Sequence, residues 1–599
     1  MLRVDGYAQI ADYGAVGDGR GVALVARDGS IDWLCWPAPD SGSLFGALLD
    51  PDRGGRFALA PADPFESEQR YVERANVLET TFETAGGVVK VTDAMTTDGG
   101  RVLPWHELAR RVEGVSGEVE MRWTVAPKFG YGSAEHRFAG VDEHFLVAAS
   151  AAGELGVLAW GCDEVAASPE RVDGRMKLGA GDRATLATIY IPPGEPLPRP
   201  ERDELEDRID RTIESWREWL SAHDYEGPWR GQVERSLLAL RLLTFPSGAV
   251  IAAPTTSLPE KIGGARNYDY RHAWPRDTAL MLNALLHCGL REPAHGALRW
   301  LLRALVDTHP RVHPVYRLSG EVLSHQFELP LRGYRDSRPV RDGNDAAGQL
   351  QLGAYGDLLH TAWTYTRQGN RLDAVTGRHL AESVDLLAQI WQNKDSGIWE
   401  LPDKQHYTSS KMGCWLAFDR AVKLIGEGQL PDAGRRQRFI EERGAVASWI
   451  EEHCWSEERG SYTQHPETAG LDVSVVLMGG MGYDEVAGDR YGRTLEAVRL
   501  ELAQGPYVHR YSGMEAEEGA FVACSFWIAE ALAQQGAVAE AERAMDAAIR
   551  LSNQLGLFSE EADPATGELL GNFPQALSHL ALINAAASIR DVSEGESRG

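Results

Sequence analysis

The local pattern of the chain changes once, near residue 225, and this change limits the folds open to it. Before this point, short runs rich in β-branched and aromatic residues alternate with Gly, Pro and Asp. Val22–Val25 and Ser30–Trp36, for example, flank a turn at Asp28 and Gly29, which is typical of a β-hairpin. Similar runs continue to Ile191, so we predict antiparallel sheets packed face to face over residues 1–199.

The rest of the chain favours helices. A charged segment after Pro200 predicts a linker helix within residues 200–228. From residue 229 to 599, apolar residues recur at helical spacing, as Leu282, Leu285 and Leu286 illustrate. About eleven or twelve such segments without strand alternation between them favour a helical toroid. Sites are usually built on long polar and aromatic loops, which occur here at 254–277, 320–345, 394–411, 505–519 and 557–574.

The net charge of −28 argues against two classes of binding partner. Such an acidic protein repels nucleic-acid phosphates and anionic lipid, so we expect neither nucleic acid nor a membrane surface as a partner. The sequence has no run of about 18 apolar residues, which argues against a membrane-spanning helix. Nothing in the composition fixes the oligomeric state, and association into a homo-oligomer stays open.

The spacing of the cysteines and histidines indicates whether the chain can form disulfides or bind a metal. The six cysteines are spread without a CxxC pair, so we expect reduced thiols, with neither a disulfide framework nor a zinc knuckle. The histidines show no HExxH spacing, and we predict no metal and no cofactor. The N-terminus lacks a basic segment followed by an apolar run, so we predict no signal peptide and a cytoplasmic location.

Two segments carry glutamates suited to glycosidic cleavage. That reaction needs one carboxylic acid to protonate the leaving oxygen and one carboxylate to activate water. Glu400 follows Trp399, whose ring can shield the carboxyl from water and raise its pKa, as an acid requires. Glu560 and Glu561 follow an apolar run in the second segment. Taken alone, each segment is more often structural: the first as a glutamate beside a packing tryptophan, the second as a solvated turn that opens a helix.

A third segment suits sugar binding. Tyr270, Trp274, Arg276 and Asp277 lie at or just before a predicted helix start. An adjacent Arg and Asp can bind two hydroxyls from one edge of a sugar, and aromatic faces can pack on its ring. Asp277 on its own is also compatible with a simple helix cap.

These segments together resemble glycoside hydrolase family 15, the glucoamylase family, and within it the bacterial and archaeal trehalase-like branch. The similarity runs almost end to end and includes further blocks at Ile10–Gly14, Arg27–Trp36, Phe45–Asp50, Gly333–Arg341, Gly519–Trp527 and Gly571–Leu582. The resemblance implies an N-terminal antiparallel β-sandwich followed by an (α/α)6 helical barrel over residues 229–599. It also implies an inverting mechanism without a cofactor.

The same resemblance implies roles for individual residues. Glu400 matches the general acid and Glu560 the general base, with Glu561 as the rival for the base. Arg276 and Asp277 match the pair that binds the non-reducing glucose. The remaining residues that it assigns to substrate binding are Tyr270, Trp274, Arg338, Arg341, Trp399 and Arg510.

We therefore predict an inverting hydrolase of an α-glucosidic bond, with α,α-trehalose as substrate and a small carbohydrate as partner. Leu401 follows the acid where fungal-type glucoamylases carry a second glutamate, which favours the trehalase-like branch. Pro275 departs from the Leu or Thr of relatives. The alternatives are a glucoamylase or other exo-α-glucosidase acting on maltooligosaccharides, isomaltooligosaccharides or a glycosylated metabolite, a phosphorylase, and a non-catalytic sugar-binding protein.

Overall fold

Strands occupy the first part of the chain in the computed structural model, which describes residues 3–597. Their bounds are Tyr13–Gly17 (β1), Val22–Ala26 (β2), Ile31–Cys35 (β3), Ser43–Phe45 (β4), Arg56–Pro61 (β5), Phe65–Tyr71 (β6), Leu78–Thr84 (β7), Gly87–Met95 (β8), His106–Ala126 (β9), His136–Gly140 (β10), Phe145–Ser150 (β11), Gly153–Trp160 (β12), Glu164–Ala167 (β13), Val172–Gly179 (β14) and Arg183–Ile191 (β15). One short helix, Phe129–Gly132 (α1), lies between β9 and β10.

These strands pair antiparallel in one hydrogen-bonded sheet, whose main path runs β1-β2-β3-β5-β9-β15-β12-β11-β10. The strand β9 spans 21 residues. It pairs with β5 and β14 along its second half and with β8 and β15 along its first half, so it connects the two parts of the sheet. The predicted antiparallel sheet is confirmed.

The hairpin between β2 and β3 has a local cause. The Ala26 N–H donates to the Ser30 carbonyl at 2.8 Å. Gly29 has a φ of 81°, and a Cβ at this position would lie 2.0 Å from the carbonyl oxygen of Leu59. Because neither the backbone angle nor the space suits a side chain, glycine is required here. The turn predicted at Asp28 and Gly29 is confirmed.

Helices dominate from Arg202 onward. Their bounds are Arg202–Ser221 (α2), Arg230–Leu242 (α3), Pro275–His287 (α4), Arg291–Val306 (α5), Gly353–Arg367 (α6), Ala374–Ile390 (α7), Thr408–Gly426 (α8), Arg435–His453 (α9), Asp484–Ala487 (α10), Asp489–Leu502 (α11), Val522–Gln534 (α12), Val538–Ile549 (α13) and Ala576–Ser597 (α14). Short strands lie in the loops, at Gln326–Leu329 (β16), Val340–Gly343 (β17), Trp455–Ser456 (β18), Ser461–Tyr462 (β19), Ala503–Gln504 (β20), Tyr507–Val508 (β21), Ala520–Phe521 (β22), Glu561–Ala562 (β23) and Leu569–Leu570 (β24).

The helix α2 is fixed to the sheet and to the helices that follow. It packs against β8, β9 and α3. A capping box formed by Glu201 and Glu204 begins it, which satisfies free backbone N–H groups. Arg208 donates to both carboxylate oxygens of Glu107 on β9, each at 2.8 Å, in a buried ion pair. This bidentate geometry orients α2 on the sheet.

Six elements of the helical part contact one another in a closed circuit. The circuit runs from α4 to α6, α8, the 3-10 helix Val473–Met478, α12, α14 and back to α4. Nearly every residue of α8 and α12 is buried, as expected of helices enclosed on all sides. By contrast, α9 buries only Phe439, Val446 and Ile450, and it packs on the outside of α8.

The sheet also contacts the segment that precedes α4. Trp33 on β3 donates its indole N–H to the carbonyl of Pro254 at 2.7 Å. Arg271 is fully buried, pairs with Asp269 at 2.7 Å and donates to the carbonyl of Ser41 at 2.6 Å. A buried charge pair with this many contacts holds its backbone in place. The N-terminal part therefore shapes the loop that carries the candidate site.

All six cysteines have free thiols, and five of them are buried. Burial raises the pKa of Cys35 and Cys414 to about 12, which keeps these thiols protonated at neutral pH. Among the described residues, no helix has both the length and the apolar character that a bilayer crossing requires.

Candidate active site

A cavity of about 210 Å³ brings together loops that lie far apart in the sequence. Its walls come from the segment before α4, the hairpin of β16 and β17, the turn at 397–400 and the region between β21 and α12. Most of the predicted site residues lie on these walls, namely Tyr270, Trp274, Arg276, Asp277, Arg341, Trp399, Glu400 and Arg510.

Glu400 ends a turn and faces the cavity. Its φ of 59° is rare for a residue with a Cβ, and such strained positions cluster at functional sites. Trp274 donates its indole N–H to Glu400 Oε1 at 2.7 Å, and Gln349 donates to the Glu400 carbonyl at 2.9 Å. Burial raises the pKa of Glu400, while the positive charge of Arg276 and the bond from Trp274 act in the opposite direction. A carboxyl with a raised pKa on a cavity wall suits proton donation.

The indole that donates a hydrogen bond to Glu400 is that of Trp274, not that of the adjacent Trp399. The neighbouring Trp399 donates its indole N–H to Asp472 Oδ1 at 2.9 Å instead, and shielding of the Glu400 carboxyl by its ring stays a prediction. The ring of Trp399 packs against Phe521 and Trp527, with centroid distances of 5.5 and 5.9 Å. Trp399 therefore forms a rigid aromatic wall of the cavity, a surface on which a sugar ring can pack.

Arg276 and Asp277 sit in the first turn of α4. Trp274 occupies the N-cap position and Pro275 the first helical position, where its missing N–H costs nothing. Asp277 is therefore not the N-cap residue. Arg276 Nε donates to Asp277 Oδ1 at 2.9 Å, and its Nη1 donates to the Ile398 carbonyl at 2.9 Å. These bonds tie the helix start to the turn that carries the candidate acid.

Glu560 adjoins the cavity through Tyr270 and is itself only 1% exposed. Tyr270 donates its hydroxyl to Glu560 Oε1 at 2.6 Å, and the Asn572 N–H donates to Oε2 at 3.1 Å. A Cβ at Gly571 would lie 2.5 Å from Glu560 Oε2, so glycine allows this close approach. Burial and the nearby charge of Glu260 raise the pKa of Glu560 to about 8, and the bond from Tyr270 opposes that rise.

Arg510 extends from the cavity wall into three buried carboxyl groups, Glu260, Glu518 and Glu561, here called the glutamate cluster. Arg510 Nε donates to Glu518 Oε1 at 2.7 Å, and Nη2 donates to Glu260 Oε2 at 3.0 Å. Glu561 Oε1 lies 3.6 Å from Nη2. The guanidinium also lies 5.5 Å from the centre of the Trp399 ring, which fixes its position further.

Comparison with known proteins identifies the chain. The sequence model of Glycosyl hydrolases family 15 matches residues 232–551 and 535–587. The chain belongs to glycosyl hydrolase family 15. A second model, Trehalase-like, N-terminal, matches residues 5–159 of this family 15 hydrolase. The predicted family and the predicted enzyme class, a glycoside hydrolase, are confirmed.

Relatives extend over nearly the full length of the hydrolase. It is 33% identical to a trehalase of Mycolicibacterium smegmatis, over 99% of this chain and 93% of that protein. It is 30% identical to a trehalase of Thermoplasma volcanium, over 98% of this chain and 95% of that protein. The crystal structure of a bacterial glucoamylase complexed with acarbose has a TM-score of 0.72 and 12% identity, covering 100% of this chain and 97% of that one. This last similarity establishes the shared fold.

One predicted binding residue of the family 15 hydrolase lies apart from the others. Arg338 is exposed, and its Nε donates to the carbonyl of Arg332 at 3.2 Å. It does not line the cavity, whereas Arg341 on β17 does. The Arg341 guanidinium lies 5.0 Å from the ring centre of Tyr268, another wall residue.

No sequence pattern identified the buried partners of Arg510. Glu260 lies in the loop 254–277, and Glu518 lies in the loop 505–519. Both were therefore within segments already marked as candidates. Charge alone could not distinguish them from solvated acids, because the residues that bury them come from distant parts of the chain.

Replacement of Tyr270 by Phe tests the link between the cavity and Glu560. The variant loses the hydroxyl that favours the ionised carboxylate, so the pKa of Glu560 rises. We expect the acid limb of the pH profile of kcat/KM to move to higher pH. A bond to a charged group contributes about 1.5–3 kcal/mol, which corresponds to about a tenfold to hundredfold loss at acidic pH. In the control Tyr268→Phe the acid limb stays in place, and an unshifted limb in both variants contradicts the assignment.

A second, smaller cavity of about 50 Å³ lies behind Arg276 and contains an unpaired acid. The carboxylate of Asp357 on α6 makes no hydrogen bond or ion pair with any residue that the structure describes. Burial raises the pKa of Asp357 from 3.8 to about 7, although the charge of Arg276 opposes this. The folded protein therefore binds this proton more tightly than the unfolded chain does.

Replacement of Asp357 by Asn is expected to stabilise the protein at alkaline pH. Because the pKa of Asp357 is raised on folding, its contribution to stability falls as pH rises from about 4 to 7. Asn removes this loss, so the variant should gain about 1–4 kcal/mol at pH 8 and nothing near pH 4. Thermal unfolding at both pH values measures the difference, with Asp63→Asn on an exposed turn as the control. An equal effect at both pH values contradicts the prediction.

Proposed function

We propose that this chain is an inverting α,α-trehalase. The observation that carries the proposal is similarity over nearly the whole chain to trehalases from a bacterium and an archaeon, at 33% and 30% identity. Further support comes from two carboxyl groups on different segments: Glu400 lines the cavity, and Glu560 is hydrogen-bonded to the wall residue Tyr270. Two such groups are what hydrolysis with inversion requires.

In the proposed mechanism Glu400 is the general acid. Its carboxyl, held by Trp274 and with a pKa raised by burial, protonates the oxygen that bridges the two glucose units. Arg276 and Asp277 bind hydroxyls of the glucose whose anomeric carbon reacts, and Trp399 packs against its ring. Because Arg276 also binds the carbonyl of Ile398, substrate binding and acid placement depend on the same turn.

Glu560 is the proposed general base, in preference to Glu561. Glu560 accepts a hydrogen bond from Tyr270, a residue of the cavity wall. Glu561 instead accepts the N–H of Gly519 at 2.9 Å and faces Arg510. Glu560 is thus hydrogen-bonded to a wall residue, whereas Glu561 meets the wall residue Arg510 only at 3.6 Å, and we propose that Glu560 removes a proton from the attacking water. Attack opposite to the departing oxygen inverts the anomeric carbon.

We also propose the finer architecture that the family implies. The closed circuit of helices supports an (α/α)6 barrel over residues 229–599. The long strand β9 joins two parts of the antiparallel sheet and supports a β-sandwich over residues 1–199, with 200–228 as the linker helix. The free thiols are consistent with the proposed cytoplasmic location.

A substrate panel tests the proposed specificity. Glucose release is measured from trehalose, maltose, maltotriose and isomaltose, and we expect kcat/KM for trehalose to exceed the others at least 100-fold. Preference for maltotriose would replace this proposal by a glucoamylase. Sugar binding in calorimetry without glucose release from any of the four would instead support a non-catalytic sugar-binding protein.

A further inference from the structure

The glutamate cluster holds more negative than positive charge. Among the residues that the structure describes, its three carboxyl groups share two guanidinium groups, those of Arg510 and Arg266. One carboxylate oxygen from each glutamate lies within 4.8 Å of the others, and all three side chains are buried. Like charges this close, on side chains this buried, oppose each other strongly, so one carboxyl is expected to keep its proton.

Hydrogen bonds distinguish the three carboxyls. Glu518 accepts from Arg510 through both oxygens. Glu260 Oε2 accepts from Arg510 at 3.0 Å and from Arg266 at 2.9 Å. Glu561 receives no hydrogen bond from either guanidinium, since its nearest guanidinium nitrogen is 3.6 Å away. Glu518 and Glu260 thus have the partners of a carboxylate, and Glu561 does not.

The two oxygens of Glu561 also differ from each other. Oε2 accepts the N–H of Gly519 at 2.9 Å, as the carbonyl oxygen of a neutral acid does. Oε1 is buried without a hydrogen-bond partner, and so is Oε1 of Glu260. A proton on Glu561 Oε1 gives the cluster a donor, where otherwise two bare acceptors remain buried.

We propose that Glu561 is a neutral carboxylic acid with its proton on Oε1, and that it acts as a positioning residue that lets the adjacent Glu560 ionise. The inference rests on the proposed function, in which Glu560 is the base. With Glu561 neutral, the negative charges of Glu260 and Glu518 are balanced by Arg510 and Arg266. Glu560 then lies beside a cluster whose net charge is close to zero. The free energy needed to ionise Glu560 falls as a result.

The surroundings of Glu561 agree with this assignment. Burial and the charges of Glu260 and Glu518 raise its pKa well above the usual range, against the opposing charge of Arg510. From α12, Cys524 contributes a thiol whose pKa burial raises, and the buried carboxyl of Asp472, whose pKa burial also raises, lies near that thiol. On the opposite side lies Glu560, which Tyr270 holds. The charged group beyond Arg266 is Glu517, which is 60% exposed and screened by solvent.

Rescue by an isosteric amide tests the proposal. Glu561→Ala removes the acceptor for Gly519 and opens a hole beside Arg510, so we expect kcat/KM for trehalose to fall at least tenfold and the Tm to fall. Glu561→Gln supplies a neutral donor and acceptor in the same place. It should restore kcat/KM to within about threefold of the wild-type value, with the acid limb of the pH profile unshifted or lower.

Glu518→Gln is the matched control within the same cluster. This substitution neutralises a carboxylate that accepts from Arg510 through both oxygens, so the Tm should fall below that of Glu561→Gln. A Glu561→Gln variant with a Tm as low as that of Glu518→Gln would mean that Glu561 is ionised. Loss of activity in Glu561→Gln equal to that in Glu560→Gln would make Glu561 the base. Either result overturns the proposal.

A bound cation could also neutralise the glutamate cluster, and chelation distinguishes it from a proton. If EDTA lowers the Tm of the wild-type protein and added Mg²⁺ or Ca²⁺ restores it, a cation occupies the cluster and the proposal of a proton is wrong. If the wild-type protein releases glucose from no α-glucoside, the proposed function fails. The Tm comparison of Glu561→Gln with Glu518→Gln still decides the protonation state in that case.

Discussion

Replacement of Glu400 by Gln is expected to lower kcat for trehalose about 10²–10⁴-fold with little change in KM. The amide has nearly the shape of the carboxyl and can accept the indole N–H of Trp274, so binding should persist. It has no acidic proton to give to the bridging oxygen. Steady-state kinetics on trehalose, with circular dichroism to verify folding, measure the effect.

The control for this prediction is a substrate whose leaving group departs without being protonated. On α-glucosyl fluoride, whose fluoride departs unaided, Glu400→Gln should lose far less activity than on trehalose. If the variant keeps kcat for trehalose within threefold of the wild-type value, Glu400 is not the acid. An equal loss on both substrates would assign it a role in binding or folding instead.

Replacement of Glu560 by Gln should also lower kcat about 10²–10⁴-fold, but on both substrates. The attacking water needs a base whatever the leaving group is, and the amide cannot accept its proton. The bond from Tyr270 can be retained, because the amide oxygen still accepts. The same two-substrate kinetics therefore separate a base from an acid.

Glu568→Gln is the matched control for Glu560→Gln. Glu568 belongs to the same loop after α13 and pairs with Arg335 at 2.5 Å, away from the cavity wall. Its replacement should change kcat less than threefold, and its effect should appear as a small decrease in Tm. A loss in the control as large as that in Glu560→Gln would point to disruption of the whole loop.

Much of the fold could be predicted because it is encoded in local periodicity. Strand alternation before Ile191 and helical spacing after residue 229 each repeat many times, so errors at single elements do not alter the result. The turn at Asp28 and Gly29 was predictable for the same reason. The pairing of β9 with four strands was not, because register depends on contacts between segments distant in the sequence.

Short motifs predicted individual residues of the candidate site but not the contacts between them. Residues such as Glu400 and Arg276 lie within segments whose composition marks them. The donor to Glu400 is Trp274, which is 126 residues away, and the partner of Glu560 is Tyr270, which is 290 residues away. Such pairs arise only when the helices close on one another, so no local pattern predicts them. Arg338 is the opposite case. It lies within a block that resembles the family, but its side chain is exposed and does not line the cavity.

Proton NMR of the wild-type protein during the first minutes of reaction with trehalose tests the central claim most directly. Hydrolysis with inversion releases one β-glucose from the attacked unit and one α-glucose from the leaving unit. We therefore predict equal early signals of the two anomers, before mutarotation sets in. Early α-glucose without β-glucose would indicate retention and contradict the roles proposed for both Glu400 and Glu560.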